Sequence, residues 1–79
     1  MKLPRAITGR ELVAALSELG YSISRQSGSH VRITTNRNGT HHVTVPDHRP
    51  IKVGTLSAIL RDVAEHHGMD RDHLIALIF

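Results

Sequence analysis

The chain has 79 residues and no cysteine, so we expect one domain over residues 1–79 without disulfides or cysteine-based zinc sites. Ten Lys and Arg against seven Asp and Glu give a net charge of +3, and one Tyr and one Phe are too few to stack unpaired bases. No signal peptide and no apolar run of the ~20 residues that span a bilayer is visible, so we expect a cytoplasmic protein without a membrane partner.

The positive charge is concentrated in the centre of the sequence. Residues 21–55 contain five Lys and Arg and one Asp, a net charge of +4, whereas residues 56–79 contain two Arg and four acidic residues, a net charge of −2. A basic segment suits a polyanion such as nucleic acid. An ordinary solvated surface explains the same pattern, so the composition alone leaves both interpretations open.

The first predicted element is a capped helix. Thr8 is a favourable N-cap, and Glu11 three residues later completes a capping box. Apolar residues then recur at helical spacing and predict one buried face: Leu12, Ala15, Leu16 and Leu19. Gly20 is expected to end the helix in the left-handed conformation that glycine adopts readily.

Three strands are predicted after this helix. In the first, alternation puts Tyr21, Ile23 and Arg25 on one face, and Gly28-Ser29 then breaks the strand. The second and third strands are expected to turn their apolar side chains and one threonine toward the core: Val31, Ile33, Thr35, Val43 and Val45.

The loop between the second and third strands decides which residues share a face. A two-residue Asn38-Gly39 turn would oppose polar and apolar side chains, whereas a three-residue loop from Arg37 to Gly39 pairs Val43 with Ile33. We therefore favour the second register. It gathers polar side chains on the face away from the core: His30, Arg32, Thr34, His42 and Thr44.

Two helices complete the chain. The second is predicted to begin near Gly54 or Thr55, with Thr55 as its N-cap, and to end at Gly68. Asp70 is expected to cap a short last helix. The predicted fold is therefore α+β, in the order α-β-β-β-α with a short C-terminal helix, and its three-stranded antiparallel sheet carries the helices on one face.

Gly28-Ser29-His30 is the first candidate site. Glycine lets a backbone approach a ligand closely, and histidine can act as a general base or acid near neutral pH. RNA carries its own nucleophile, the 2′-hydroxyl, so a histidine and nearby cations can support its cleavage without a metal. A turn followed by an exposed strand residue explains the same three residues without any function.

The start of the second helix is the second candidate. Free backbone N–H groups and the helix dipole favour a phosphate there, and Lys52 would add a full charge before Gly54 and Thr55. A helix start with solvated cations is the alternative. Metal binding is not expected, because the pairs His41-His42 and His66-His67 lack the spacing of zinc motifs.

Four short segments follow one another in an order that is more specific than any one of them. They are Leu19-Gly20-Tyr21, Arg25-Gln26-Ser27-Gly28-Ser29-His30, Val45-Pro46-Asp47-His48, and Gly54-Thr55-Leu56 with Ile59-Leu60-Arg61. Through these segments the chain resembles the HicA (YcfA-like) toxin family over residues 8–78.

The resemblance implies a double-stranded-RNA-binding-domain-like fold and a ribosome-independent toxin that cleaves mRNA without a metal or other cofactor. It also implies a HicB-type antitoxin as partner, His30 as the catalytic residue and His48 as a substrate contact. The resemblance and the basic segment together predict the RNA-binding residues, which are Gly28, Ser29, Arg25, Arg32, His48, Lys52, Gly54 and Thr55. A non-catalytic RNA-binding module of the same fold and a domain that binds an acidic protein are the alternatives.

Overall fold

The computed structural model describes residues 3–79, and it has one antiparallel sheet with strand order β1-β2-β3. The elements are α1 (Gly9–Leu16) with a 3₁₀ turn (Ser17–Leu19), β1 (Ser22–Ser27), β2 (His30–Thr35), β3 (His41–Pro46), α2 (Val53–His66) and α3 (Arg71–Ile78). The inward side chains of the sheet and the apolar faces of the helices form one core. The predicted α+β order, with helices on one face of the sheet, is confirmed. Between residues 3 and 79, no helix has the length and apolar character that crossing a membrane requires.

The start of α1 is the capping box that the sequence predicts. The Thr8 hydroxyl accepts from the Glu11 N–H at 3.1 Å, and the Glu11 carboxylate accepts from the Thr8 N–H at 3.0 Å. The hydrogen bond from the Thr8 N–H to the Glu11 carboxylate is the main reason that the pKa of Glu11 is lowered. At the other end the last turn tightens to a 3₁₀ turn, and Gly20 follows it with φ of +83°.

The predicted register of β2 and β3 is also confirmed. Val43 lies opposite Ile33 and Val45 opposite Val31, and all four side chains are buried. The inward Thr35 is buried as well, and its hydroxyl donates to the Leu19 carbonyl at 2.9 Å, so that no polar atom is left unpaired there.

One feature of β1 differs from the prediction. Simple alternation puts Arg25 on the same face as Tyr21 and Ile23, but Ser24 is an extra residue in a β-bulge. The bulge moves Arg25 opposite Arg32, on the face away from the helices. The face bearing Arg32 and the other outward residues of β2 is called the open face below.

The start of α2 also differs from the prediction, because Thr55 is not its N-cap. The helix begins at Val53 with Lys52 in the N-cap position, and none of the side chains that the structure describes caps it. The reason lies just upstream, where buried Ile51 donates its N–H to the carbonyl of Ile7 and fixes the chain immediately before the helix. The expected ends at Gly68, which has φ of +66°, and at Asp70, which caps α3, are confirmed.

Candidate functional site

His30 is the first residue of β2, directly after the two-residue turn Gly28-Ser29. Gly28 has φ of +58°, and a Cβ there would meet nothing within 4 Å, so this position needs glycine for its backbone conformation and not for space. The His30 side chain is exposed and has no hydrogen-bond partner among residues 3–79. Its imidazole is therefore available to a substrate on the open face.

The segment after β3 is fixed beside His30 by two backbone hydrogen bonds. The Asp47 N–H donates to the Ser29 carbonyl at 2.6 Å, which extends the β2–β3 pairing by one step. The Gly9 N–H donates to the His48 carbonyl at 3.0 Å, so the start of α1 holds the next residue. The exposed side chain of His48 therefore lies at the same end of the sheet as His30, and this end is called the His30 end below.

Two arginines face each other on the open face. Arg25 and Arg32 are cross-strand partners, and like charges that lie directly opposite destabilise a sheet. Within residues 3–79 neither guanidinium has a carboxylate within 4.0 Å. The bulge at Ser24 thus creates a pair of cations with no counterion in the described part of the chain, one step along β2 from the row that contains His30.

The second candidate, at the start of α2, lies at the same end of the molecule. At the other end of α2, the His66 Nε2 donates to the carbonyls of Arg37 and Gly39 in the β2–β3 loop, so the helix starts at the His30 end. Lys52, Gly54 and Thr55 are exposed there, and no side chain from residues 3–79 caps the first N–H groups. These residues belong to the helical layer, so the expected RNA-binding residues occupy two adjoining surfaces and not one.

Sequence reasoning missed a histidine cluster at the far end of the sheet, made of Tyr21, His41, Asp62, His66 and His67. The Tyr21 hydroxyl lies 2.7 Å from His41 Nδ1 and 3.1 Å from His67 Nε2, and His41 Nε2 lies 3.2 Å from the Asp62 carboxylate. The His41 and His66 rings stack with their centroids 4.2 Å apart. The adjacent histidine pairs are the signal in the sequence that points to this cluster.

The cluster joins the β2–β3 loop to the end of α2 around a buried tyrosine. Tyr21 is 3% exposed, and burial, with a smaller effect of Asp62, raises its pKa to about 12. No group of three or more His, Asp or Glu among residues 3–79 is arranged to hold a metal ion. Burial is the main cause that lowers the pKa of His67, and His66, His41 and Arg37 lower it further.

Acidification is expected to destabilise the fold through His67. The folded-state pKa of His67 lies below its unfolded value, so its contribution is complete above about pH 6.5 and is lost as the pH falls through the folded pKa. We expect the free energy of unfolding, measured by urea titration from pH 7.5 to pH 5, to fall less steeply with pH in His67→Gln. The control is His73→Gln at an exposed position of α3, which should follow the wild type, and parallel curves for all three proteins would contradict the prediction.

A comparison with protein families identifies one family for this chain. Residues 9–64 match the family model described as "HicA toxin of bacterial toxin-antitoxin". The match runs from the first residue of α1 almost to the end of α2, and it therefore includes the whole sheet and both candidate sites. No curated protein and no solved structure matches the chain at a significant level.

Proposed function

The chain belongs to the HicA toxin family of bacterial toxin–antitoxin systems, and from this premise we propose that it is a metal-independent endoribonuclease whose catalytic residue is His30. The observation that carries the proposal is the exposed His30 imidazole one row from the Arg25–Arg32 pair. Within residues 3–79 the imidazole has no hydrogen-bond partner and the pair has no carboxylate within 4.0 Å. A proton-transfer group beside uncompensated positive charge is what cleavage of a phosphodiester by its own 2′-hydroxyl requires.

The mechanism follows from these groups. His30 takes the proton from the 2′-hydroxyl, the 2′-oxygen attacks phosphorus, and the bond from phosphorus to the 5′-oxygen breaks, leaving a cyclic phosphate and a 5′-hydroxyl. The leaving oxygen takes its proton from a general acid or from water. In the reverse assignment, His30 is the acid that protonates this oxygen. Arg25 and Arg32 stabilise the charge that grows on the phosphoryl oxygens.

The remaining residues of the site are proposed to hold the mRNA substrate. Gly28 and Ser29 let the strand approach the turn next to His30, and His48 contacts it from the segment after β3. At the start of α2, beside the His30 end, Lys52, Gly54 and Thr55 would bind a further phosphate. We propose a HicB-type antitoxin as the partner that covers this end in the cytoplasm, since an acidic surface would compensate the same cations.

The test is cleavage of a long single-stranded RNA by the purified protein with a chelator and no added metal. Chain breaks that end in cyclic phosphate support the proposal. Binding that weakens with rising salt but leaves the RNA intact would instead establish the non-catalytic RNA-binding module, because phosphate contacts are salt-dependent. A protein that neither binds nor cuts RNA would leave the interaction with an acidic protein as the function.

A further inference from the structure

His42 belongs to a chain of hydrogen bonds on the open face that the proposed mechanism does not use. Its Nδ1 lies 2.8 Å from the Thr34 hydroxyl, which lies 2.7 Å from the Ser24 hydroxyl. Ser24 in turn donates to the Arg32 carbonyl at 3.2 Å. The chain crosses all three strands, because the bulge at Ser24 that moves Arg25 to this face also brings the serine within reach of Thr34.

The direction of these hydrogen bonds follows from counting protons. A hydroxyl has one proton, and that of Ser24 goes to a carbonyl, which can only accept. Thr34 must therefore donate to Ser24, and His42 must donate from Nδ1 to Thr34. His42 Nε2 is left without a partner among residues 3–79, and a proton there would break none of these bonds. In the neutral ring Nε2 carries a lone pair, and with a proton added it becomes an N–H that can donate to an anion while Nδ1 keeps its bond to Thr34.

The position of His42 in the sheet gives the distance of its Nε2 from the proposed cleavage site at His30. His42 pairs with Thr34, which is four residues from His30 along β2, a separation of about 13 Å at the usual rise per strand residue. The row between them is the Arg25–Arg32 pair. None of the residues in β1, β2 or β3 is acidic, so the sheet itself places no negative charge along this line.

We infer that His42 binds a second phosphate of the RNA, a few nucleotides from the one cleaved at His30, so that a single strand lies along β2 over the open face. The inference rests on the proposed function, because it takes RNA as the substrate. At this distance His42 cannot act on the phosphate that His30 cleaves, so it is a substrate-binding residue. Thr34 and Ser24 are positioning residues that fix the tautomer and orientation of its ring.

The experiment measures binding of a fluorescein-labelled 12-nucleotide single-stranded RNA by anisotropy, in a His30→Ala background that prevents cleavage. His42→Asn keeps a group that can bond to Thr34 and removes the outer nitrogen, and it should weaken binding about threefold to tenfold. Thr34→Val should weaken it less, because the ring remains but loses its orientation. The matched control His73→Asn, at an exposed position of α3, should bind like the parent.

Cleavage kinetics with His30 intact separate the possible failures. For His42→Asn we expect a raised KM and an unchanged kcat, since only uniform binding is lost. Equal binding by parent and His42→Asn would overturn the inference while leaving the proposed function in place. A fall in kcat with unchanged affinity would also overturn it, because His42 would then act in the chemistry. A parent that does not bind RNA would overturn both proposals.

Discussion

His30→Ala is expected to lower the rate of RNA cleavage by about 10²–10⁴-fold, the usual contribution of a general acid or base. The imidazole is exposed and makes no hydrogen bond within residues 3–79, so its loss removes proton transfer without removing a structural contact. The thermal midpoint and the affinity for RNA should therefore stay close to those of the wild type. The measurement is single-turnover cleavage of a labelled single-stranded RNA with chelator present.

The control for this experiment is His73→Ala, which removes the exposed imidazole of α3 and should cut like the wild type. If His30→Ala also cuts like the wild type, the nuclease is either a contaminant or uses another residue. A copurifying nuclease would be revealed by equal activity in all three preparations.

The capping box and the strand register could be predicted because short-range rules determine both. Thr8 and Glu11 meet within one turn of the helix, and the pairing of Val43 with Ile33 follows from the demand that opposed residues share a face. The same register predicts correctly that His30 and His42 share the open face. Most of the site on the sheet is thus visible in the sequence.

The parts that could not be predicted depend on contacts between distant segments. The bulge at Ser24 is stabilised by bonds to β2 that no alternation pattern contains, and it decides on which face Arg25 lies. The start of α2 is set by a bond from Ile51 to Ile7, across more than forty residues. Local propensity favoured Thr55 as the cap, and this long-range contact overrides it.

The histidine cluster shows the same limit. His41 and His67 lie far apart in the sequence, and the fold brings both within hydrogen-bond distance of the Tyr21 hydroxyl. The sequence shows only that the histidines occur in adjacent pairs. Burial, which follows from the whole fold, is the main cause that lowers the pKa of His67.

Gly9→Ala is expected to lower the free energy of unfolding by about 2–3 kcal/mol, a drop in Tm of about 10–20 °C. A Cβ at Gly9 would lie 2.2 Å from the Pro46 carbonyl oxygen and 2.9 Å from the Asp47 Cα, and both are backbone atoms that cannot rotate away. The same substitution in another first helical turn, Gly54→Ala, meets nothing within 4 Å. It should raise stability by up to about 1 kcal/mol, because alanine loses less backbone entropy in a helix.

The two substitutions also separate stability from the geometry of the site. Accommodating a methyl group at Gly9 pushes the segment after β3 away from α1, and Asp47 in that segment bonds to Ser29 beside His30. We therefore expect Gly9→Ala to cut RNA more slowly even at 15 °C, where circular dichroism shows whether it is folded. Full activity and wild-type Tm in this variant would mean that α1 does not hold the segment against the sheet, and His48 would then have no fixed place beside His30.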